Sequence, residues 1–254
     1  MLALLAQVQI QDRSGGVASC VADNGFCPSW IADNLDRYVD PFVQHVFLTL
    51  ASVAVGFAIA FTLALLAHRH RWLVAPIVQV TAIMYTLPSI AVFFLLLPLT
   101  GRGNLTAIVA LVAYSLLIIF RNVTTGLDNV PTETRDAGRG MGLTERQLLW
   151  RVELPLALPL IFGGIKTSAV NVIATATIAP LAGVTTLGDP IINVSGYGDT
   201  GRLAAAIVVA SLAVLTELLL SAAQRAATPR GLKLESDQSR RRRLPTRIGR
   251  AAST

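Results

Sequence analysis

The stretch FVQHVFLTLASVAVGFAIAFTLALLA, residues 42–67, runs for 26 positions without a formally charged side chain. An α-helix rises about 1.5 Å per residue, so this stretch would be roughly 39 Å long, whereas the hydrocarbon core of a bilayer is about 30 Å thick. His45 is its most noticeable polar residue. The stretch therefore predicts a transmembrane helix.

The rest of the chain also contains long apolar stretches with few charged residues. It is 53% hydrophobic and only 14% charged, whereas a soluble domain carries about 25% charged residues. Composition and charge segregation predict an all-α, polytopic membrane protein with about five transmembrane helices. The four further predicted spans are residues 72–100, 104–120, 154–182 and 203–223.

The second predicted span contains Pro76, Pro88 and Pro98. Two full crossings would need about 40 residues, so we expect one long helix. Proline removes a backbone hydrogen bond, which predicts a bend near Pro88. A split into two short segments is the alternative.

Positive charges predict the orientation. Lys and Arg number sixteen in the loops after spans one and three together with the tail, and four in the other gaps. The positive-inside rule then predicts a multi-pass protein of the cell (inner) membrane, with its N-terminus outside and its C-terminus in the cytoplasm.

This topology divides the chain into three parts. We expect residues 1–41 to form an extracytoplasmic segment and residues 42–224 the transmembrane domain. Residues 225–254 form a basic tail that we predict to be disordered. Its four arginines at 240–243 could bind anionic lipid headgroups of the bilayer or act only as a topological anchor. Because no aromatic platform accompanies them, we predict no nucleic-acid partner.

Two cysteines, Cys20 and Cys27, lie in the N-terminal segment. They form either a small disulfide loop or two free thiols. A structural zinc site needs about four Cys or His ligands, so no metal site is predicted. His68 and His70 flank Arg69, and the simplest interpretation of this group is a solvated basic turn.

Residues 121–153 form the most structured polar segment of the chain. Thr132 is placed to cap a helix that begins at Glu133, and the glycines from 138 to 142 permit a tight turn. Thr144 and Gln147 form a T-x-x-Q capping box before a second helix. The loop is therefore predicted to be two short helices, or else a plain connector between spans three and four.

The run Asp136-Ala137-Gly138-Arg139-Gly140-Met141-Gly142, followed by Val152-Glu153-Leu154-Pro155, resembles the EAA loop of binding-protein-dependent ABC importer permeases. That pattern places a glycine six positions after its acid and an aliphatic-x-Leu-Pro group further on. Two positions depart from it, because Asp136 stands where Glu is usual and Gly138 where Ala is usual. The residues at matching positions are Asp136, Ala137, Gly142, Val152, Leu154 and Pro155.

The resemblance implies the type I ABC importer permease fold, with the loop acting as a coupling helix in a groove of a cytoplasmic ATP-binding subunit dimer. Asp136 would offer a carboxylate to an arginine there, beside Arg139, and Gly142 a close backbone approach. An extracytoplasmic solute-binding protein and a second permease subunit, identical or homologous, are also implied. The two lysines follow Ile165 and Leu232, not glycine, so the chain has no Walker A loop. We therefore predict a transport subunit that is not an enzyme and binds no cofactor, with ATP on the partner.

A narrower resemblance concerns the solute. Residues 85–90, 152–159 and 182–188 are similar to permeases for quaternary-amine osmoprotectants such as glycine betaine, carnitine and choline, although Thr185 and Thr186 depart from the usual glycine-rich form. An amino-acid or methionine importer permease is the first alternative, and an ion-coupled secondary transporter is the second. Polar residues in the spans mark a candidate translocation path. Its members are Tyr85, Thr86, Pro88, Ser89, Asn171 and Thr175.

Two charges lie inside predicted spans. Lys166 is either functional or paired, and Glu217 could pair with a cytoplasmic arginine. We predict substrate binding for neither. Ser52, Gly56 and Ala60 repeat at four-residue spacing, which favours close helix packing over a dedicated dimer face.

Overall fold

The computed structural model describes residues 27–227. The tail from residue 228 and Cys20 lie outside the described residues. Cys27 is buried and disulfide-bonded. Its pairing with Cys20 stays a prediction.

The regular structure of residues 27–227 is helical, which confirms the predicted all-α class. Three short helical turns connect the helices: a 3₁₀ turn at Arg71–Leu73, a π turn at Leu149–Glu153 and a 3₁₀ turn at Ala179–Ala182. The α-helices are α1 (Pro28–Asp33), α2 (Asp36–Arg69), α3 (Val74–Thr86), α4 (Ser89–Thr100), α5 (Asn104–Asp128), α6 (Thr132–Gly140), α7 (Glu145–Leu148), α8 (Leu154–Ala176), α9 (Gly188–Ile192) and α10 (Val194–Ala227).

Within the described part of the chain, four helices are long and apolar enough to cross a membrane, and a bent helix pair could make a fifth. Each contains or overlaps a predicted span, so the expectation of about five spans is confirmed. The four continuous helices are Asp36–Arg69, Asn104–Asp128, Glu145–Ala176 and Gly198–Ala227.

The second predicted span is broken, so the prediction of one long bent helix is wrong. Its two parts, α3 and α4, meet at 100°. Leu87 precedes a proline, which disfavours helical backbone, and it is extended with φ −63° and ψ 137°. The freed Leu87 carbonyl accepts a hydrogen bond from the Tyr114 hydroxyl of α5 at 2.6 Å. The break therefore stands at the predicted proline, and its exposed backbone oxygen has a partner.

Helices α2, α5 and α8 form the centre of the bundle. Ala60, Ala64 and Ala67 of α2 are fully buried in one cluster with Ile119 and Phe120 of α5. The small α2 side chains let the backbones approach, because little apolar volume separates them. This packing holds the bundle together near the 121–153 end, which we call the loop end.

At Gly56, α2 and α5 approach each other closely. A Cβ atom added there would lie 1.9 Å from Ser115 Oγ, far inside any van der Waals contact. The four-residue spacing of small residues therefore serves packing within the chain, as the sequence favoured.

Lys166 of α8 and Glu217 of α10 form an ion pair, with Lys166 Nζ 2.8 Å from Glu217 Oε1. The prediction that Glu217 pairs with a cytoplasmic arginine is wrong. Two turns beyond, Gln224 Nε2 donates to the Pro159 carbonyl at 2.7 Å. Lys166 Nζ also donates to Ser221 Oγ at 3.4 Å. These polar contacts join the last span to α8, in a setting where an unpaired charge would cost about 2.5–3.5 kcal/mol.

Candidate functional site

The polar loop begins with α6. The helix starts at Thr132 after Pro131, whose extended backbone ends the preceding turn. The N-cap position is Pro131 and Thr132 is the first residue of the helix, so the predicted Thr132 cap is wrong. Proline at this position has no N–H to leave unsatisfied.

Gly142 ends α6 with a Schellman turn. Its φ is +83°, the left-handed region that favours glycine. The Gly142 amide donates to the Arg139 carbonyl at 2.9 Å, and the Leu143 amide donates to the Gly138 carbonyl at 3.2 Å. These two bonds satisfy carbonyls that the end of a helix otherwise leaves free. Backbone geometry alone therefore favours a glycine at the position that matches the family pattern.

The predicted capping box is confirmed. The Gln147 amide donates to Thr144 Oγ1 at 3.3 Å, and the Thr144 amide donates to Gln147 Oε1 at 2.9 Å. The helix that starts here, however, continues without a gap into the membrane helix, from Glu145 to Ala176. The predicted second short helix is thus present as α7, but it is not separate from the fourth span.

A π turn at Leu149–Glu153 joins α7 to α8. Pro155 follows directly, in the first turn of α8. A proline ring clashes with the carbonyl four residues earlier in an α-helix, and the wider π turn relieves such crowding. The second part of the loop and the fourth span consequently form one continuous helix, from Glu145 to Ala176.

Gly138 lets α6 lie directly on the start of this helix. A Cβ added at Gly138 would come within 2.6 Å of Leu148 Cδ1, and both residues are buried. Alanine, which is usual at this position of the family pattern, would require only the end of the Leu148 side chain to shift.

Behind α6 lies a buried ionic cluster. Glu153 Oε1 is 2.8 Å from Arg135 Nε, and Glu153 Oε2 is 2.8 Å from His68 Nε2. The Glu153 side chain is only 5% exposed. The interpretation of His68 as part of a solvated turn is therefore wrong. The sequence did carry a signal, because Glu153 is an acid between apolar residues in a basic loop.

The outer face of the loop is polar and exposed. The side chains of Asp136 and Glu145 are 73% and 75% exposed. Arg139 lies between them, with Nε 2.9 Å from Glu145 Oε1 and Nη1 3.4 Å from Asp136 Oδ1. These carboxylates, Glu145 first, raise the pKa of the Arg139 guanidinium. Met141 adds a 75% exposed apolar side chain at the tip.

The structure thus divides the predicted loop residues into two sets. Asp136, Ala137, Arg139 and Gly142 lie on the exposed face. The others pack inward and fix the loop on the bundle. They are Gly138, Val152, Leu154 and Pro155, buried or half-buried.

The candidate translocation residues fall on two elements. Tyr85, Thr86 and Pro88 are exposed at the break between α3 and α4, and Ser89 is half-buried. The other two lie one turn apart on α8, where Thr175 donates to the Asn171 carbonyl at 2.9 Å.

Known proteins resemble this chain along most of its length. A family model described as a binding-protein-dependent transport system inner membrane component matches residues 46–231. The osmoprotectant import permease protein OsmW of Salmonella typhimurium is 38% identical over 210 residues, which cover 80% of this chain and 98% of that protein. The carnitine transport permease protein OpuCB of Listeria monocytogenes is 37% identical over 191 residues, 75% of this chain and 88% of that protein. The choline transport system permease protein OpuBB of Bacillus subtilis is 36% identical, with the same coverage.

Solved structures give the same fold. A chain of the MetNI methionine ABC transporter, in an inward-facing conformation, matches with a TM-score of 0.68 and 22% identity, covering 80% of this chain and all of that one. A chain of an amino acid ABC transporter with histidines matches with a TM-score of 0.65 and 18% identity, covering 78% of this chain and 97% of that one. The chain belongs to the family of binding-protein-dependent transport system inner membrane components, and is the multi-pass permease subunit of an ABC importer.

Proposed function

We propose that this permease moves a small quaternary-amine compatible solute, such as glycine betaine, carnitine or choline, into the cell. The observation that carries the proposal is the set of relatives at 36–38% identity, whose names refer to osmoprotectant, carnitine and choline transport. A methionine or amino-acid importer is not favoured, because those likenesses are below 25% identity and concern the fold alone.

The loop end faces the cytoplasm in this proposal, with the N-terminus outside, as the distribution of arginines favours. The exposed face of α6 then docks in a groove of a separate ATP-binding subunit dimer. Asp136 and Arg139 supply charge-assisted hydrogen bonds there, and Met141 supplies apolar contact. The ATPase site belongs to that partner, and this chain binds no cofactor of its own.

Three features of the loop support such a role: the Schellman turn, the capping box and the continuous 145–176 helix. Each fixes the backbone of the loop, and a docked ATP-binding subunit can displace the spans only through a loop of defined structure. Closure of the partner dimer would displace the loop and rock the attached spans between outward and inward openings. The broken second span, with Tyr85, Thr86 and Pro88 exposed, would line the path together with Asn171 and Thr175 of α8.

Two further partners complete the proposed assembly. A second permease subunit, identical or homologous, would close the pathway, since five spans enclose no pore alone. An extracytoplasmic binding protein would select the solute, with an aromatic cage around the quaternary ammonium.

Reconstitution tests the proposal. The chain is placed in proteoliposomes with its candidate ATP-binding and solute-binding subunits, and ATP hydrolysis is measured with glycine betaine, carnitine, choline or methionine present. We expect stimulation by at least one quaternary amine and none by methionine. Stimulation by methionine alone would refute the substrate class, and uptake without the ATP-binding subunit would refute the importer mechanism.

A further inference from the structure

Four elements meet in the ionic cluster around Glu153. Its two carboxylate oxygens contact two different helices: Oε2 lies 2.8 Å from His68 in the last turn of α2, and Oε1 lies 2.8 Å from Arg135 in α6. The Arg135 guanidinium also donates from Nη2 to the Leu127 carbonyl near the end of α5, at 2.5 Å. Glu153 itself stands at the start of the fourth span. The first, third and fourth spans are thus tied to the loop through one cluster.

The cluster is enclosed. The side chains of Glu153, Arg135 and His68 are only 5%, 16% and 17% exposed. Charges that are withdrawn from water interact strongly and tolerate little loss of geometry. Arg135 and Glu153 therefore resist separation, and His68 holds the same carboxylate at hydrogen-bond distance from α2.

The cluster differs in kind from the other contact of α6 with the bundle. Gly138 packs against Leu148 through apolar surface, which allows sliding because dispersion contacts have no preferred direction. The cluster instead holds α6 by a close ion pair between Arg135 and Glu153, whose attraction falls as the charges separate, and by the directional hydrogen bond from Arg135 Nη2 to the Leu127 carbonyl. A push on α6 would consequently reach the spans through Arg135 and Glu153 more directly than through Gly138.

We propose that Glu153 is a positioning residue for transport, which passes displacement of the docked loop to the first and fourth spans at once. This role rests on the proposed docking of an ATP-binding subunit. Arg135 extends the same link to the third span. Without the Arg135–Glu153 contact, the ATP-binding subunit would still hydrolyse ATP, but the spans would follow the displacement of the loop incompletely.

The test is the coupling ratio, the number of solute molecules taken up per ATP hydrolysed, measured on the full importer in proteoliposomes. Glu153→Gln keeps the shape of the side chain and removes its charge. We expect this variant and Arg135→Gln to lower the ratio at least fivefold, while basal ATP hydrolysis and the amount of co-purified ATP-binding subunit stay within twofold of wild type. Arg135→Lys keeps the charge and should retain most of the ratio.

The chain offers a matched control. Arg71 and Asp128 form an ion pair at the same end of the bundle, but their side chains are 56% and 47% exposed and neither lies on α6. Asp128→Asn should therefore leave the ratio unchanged. Exposed ion pairs contribute little in water.

A variant with an unpaired buried charge can fail to assemble, so a second variant replaces the pair by apolar side chains. Arg135→Met combined with Glu153→Leu leaves no unpaired charge between those two positions, and we expect it to assemble with the same low ratio. An unchanged ratio in any assembled variant that lacks the pair would overturn the proposal. Failure of both Glu153→Gln and the apolar variant to assemble would assign the cluster to folding and also overturn it.

These outcomes are separate from failure of the proposed function. If the wild-type importer shows no solute-stimulated ATP hydrolysis, the proposed function fails. If the wild type is coupled and Glu153→Gln remains equally coupled, only the role of Glu153 fails.

Discussion

Substitution of Gly142 by aspartate tests whether the exposed tip of the loop is the docking surface. Gly142 has φ +83°, and nothing would lie within 4 Å of a Cβ atom built there. The chain itself therefore has room for the new side chain. The internal cost is backbone strain, about 1–2 kcal/mol for an L-residue in the left-handed region and less for Asp than for most residues.

Gly183 provides a control with the same backbone cost. Its φ is +82°, and an added Cβ would meet the Arg102 side chain at an ordinary 3.4 Å. It lies beyond the far end of the helix that runs from Glu145 to Ala176, and those 32 residues correspond to roughly 48 Å. Gly183→Asp thus repeats the strain and the charge at the other end of the bundle.

The expected loss at Gly142 follows from packing at an interface. A side chain forced into a close-packed contact costs about 1–3 kcal/mol, which corresponds to roughly a 5- to 150-fold loss of affinity. We expect Gly142→Asp to lose most of the co-purified ATP-binding subunit and at least tenfold of solute uptake, with a normal amount of permease in the membrane. Gly183→Asp should keep the ATP-binding subunit at the wild-type level. Equal retention of that subunit by both variants, with normal uptake by Gly142→Asp, would refute the docking surface.

Three further substitutions test the packing. Gly56→Ala should destabilise the permease by about 1–3 kcal/mol because its Cβ would lie 1.9 Å from Ser115 Oγ; thermal unfolding in detergent measures this, and failure of Ser115→Gly to restore stability would contradict it. The single variant Glu217→Leu should destabilise the permease more than the double variant Lys166→Met with Glu217→Leu. The single change leaves the Lys166 charge unpaired in the span, at a cost of about 2.5–3.5 kcal/mol. If the double variant were the less stable of the two in the same assay, the ion pair would not be supported. Gly138→Ala should keep uptake and leave stability equal or higher. Alanine favours a helix by about 1 kcal/mol more than glycine, and its Cβ meets only the flexible end of the Leu148 side chain. Lost uptake would contradict this prediction and show that α6 cannot adjust to the added methyl group.

Features that depend on local sequence were predictable. The uncharged stretch at 42–67 became part of a continuous helix because its length and composition match a bilayer. The capping box formed because Thr144 and Gln147 are three residues apart and need no distant partner. Pro88 located the break, since a proline restricts both itself and the residue before it.

Features that depend on distant contacts were not predictable. His68 and Glu153 are 85 positions apart in sequence, and nothing in a basic turn indicates which acid will face it. The same applies to Lys166 and Glu217, whose pairing depends on how α8 and α10 cross. Both parts of the broken span, which meet at 100°, also pack against α5, a contact that the proline does not specify.

The spacing of the family pattern can be understood from helix chemistry. A helix that ends in a Schellman turn needs glycine just after its last turn, which fixes Gly142 relative to Asp136. The next helix then needs a cap, and Thr144 follows the glycine by two positions. This second helix continues through a π turn into the span, and Pro155 lies directly after that turn, in the first turn of α8, where a proline is tolerated. The spacing of the family pattern therefore serves the folding of the loop first, and it also places Asp136 and Arg139 on the outer face. Substitutions at the packed positions should act through the fold of the loop, whereas those at Asp136 or Arg139 should weaken docking without changing stability.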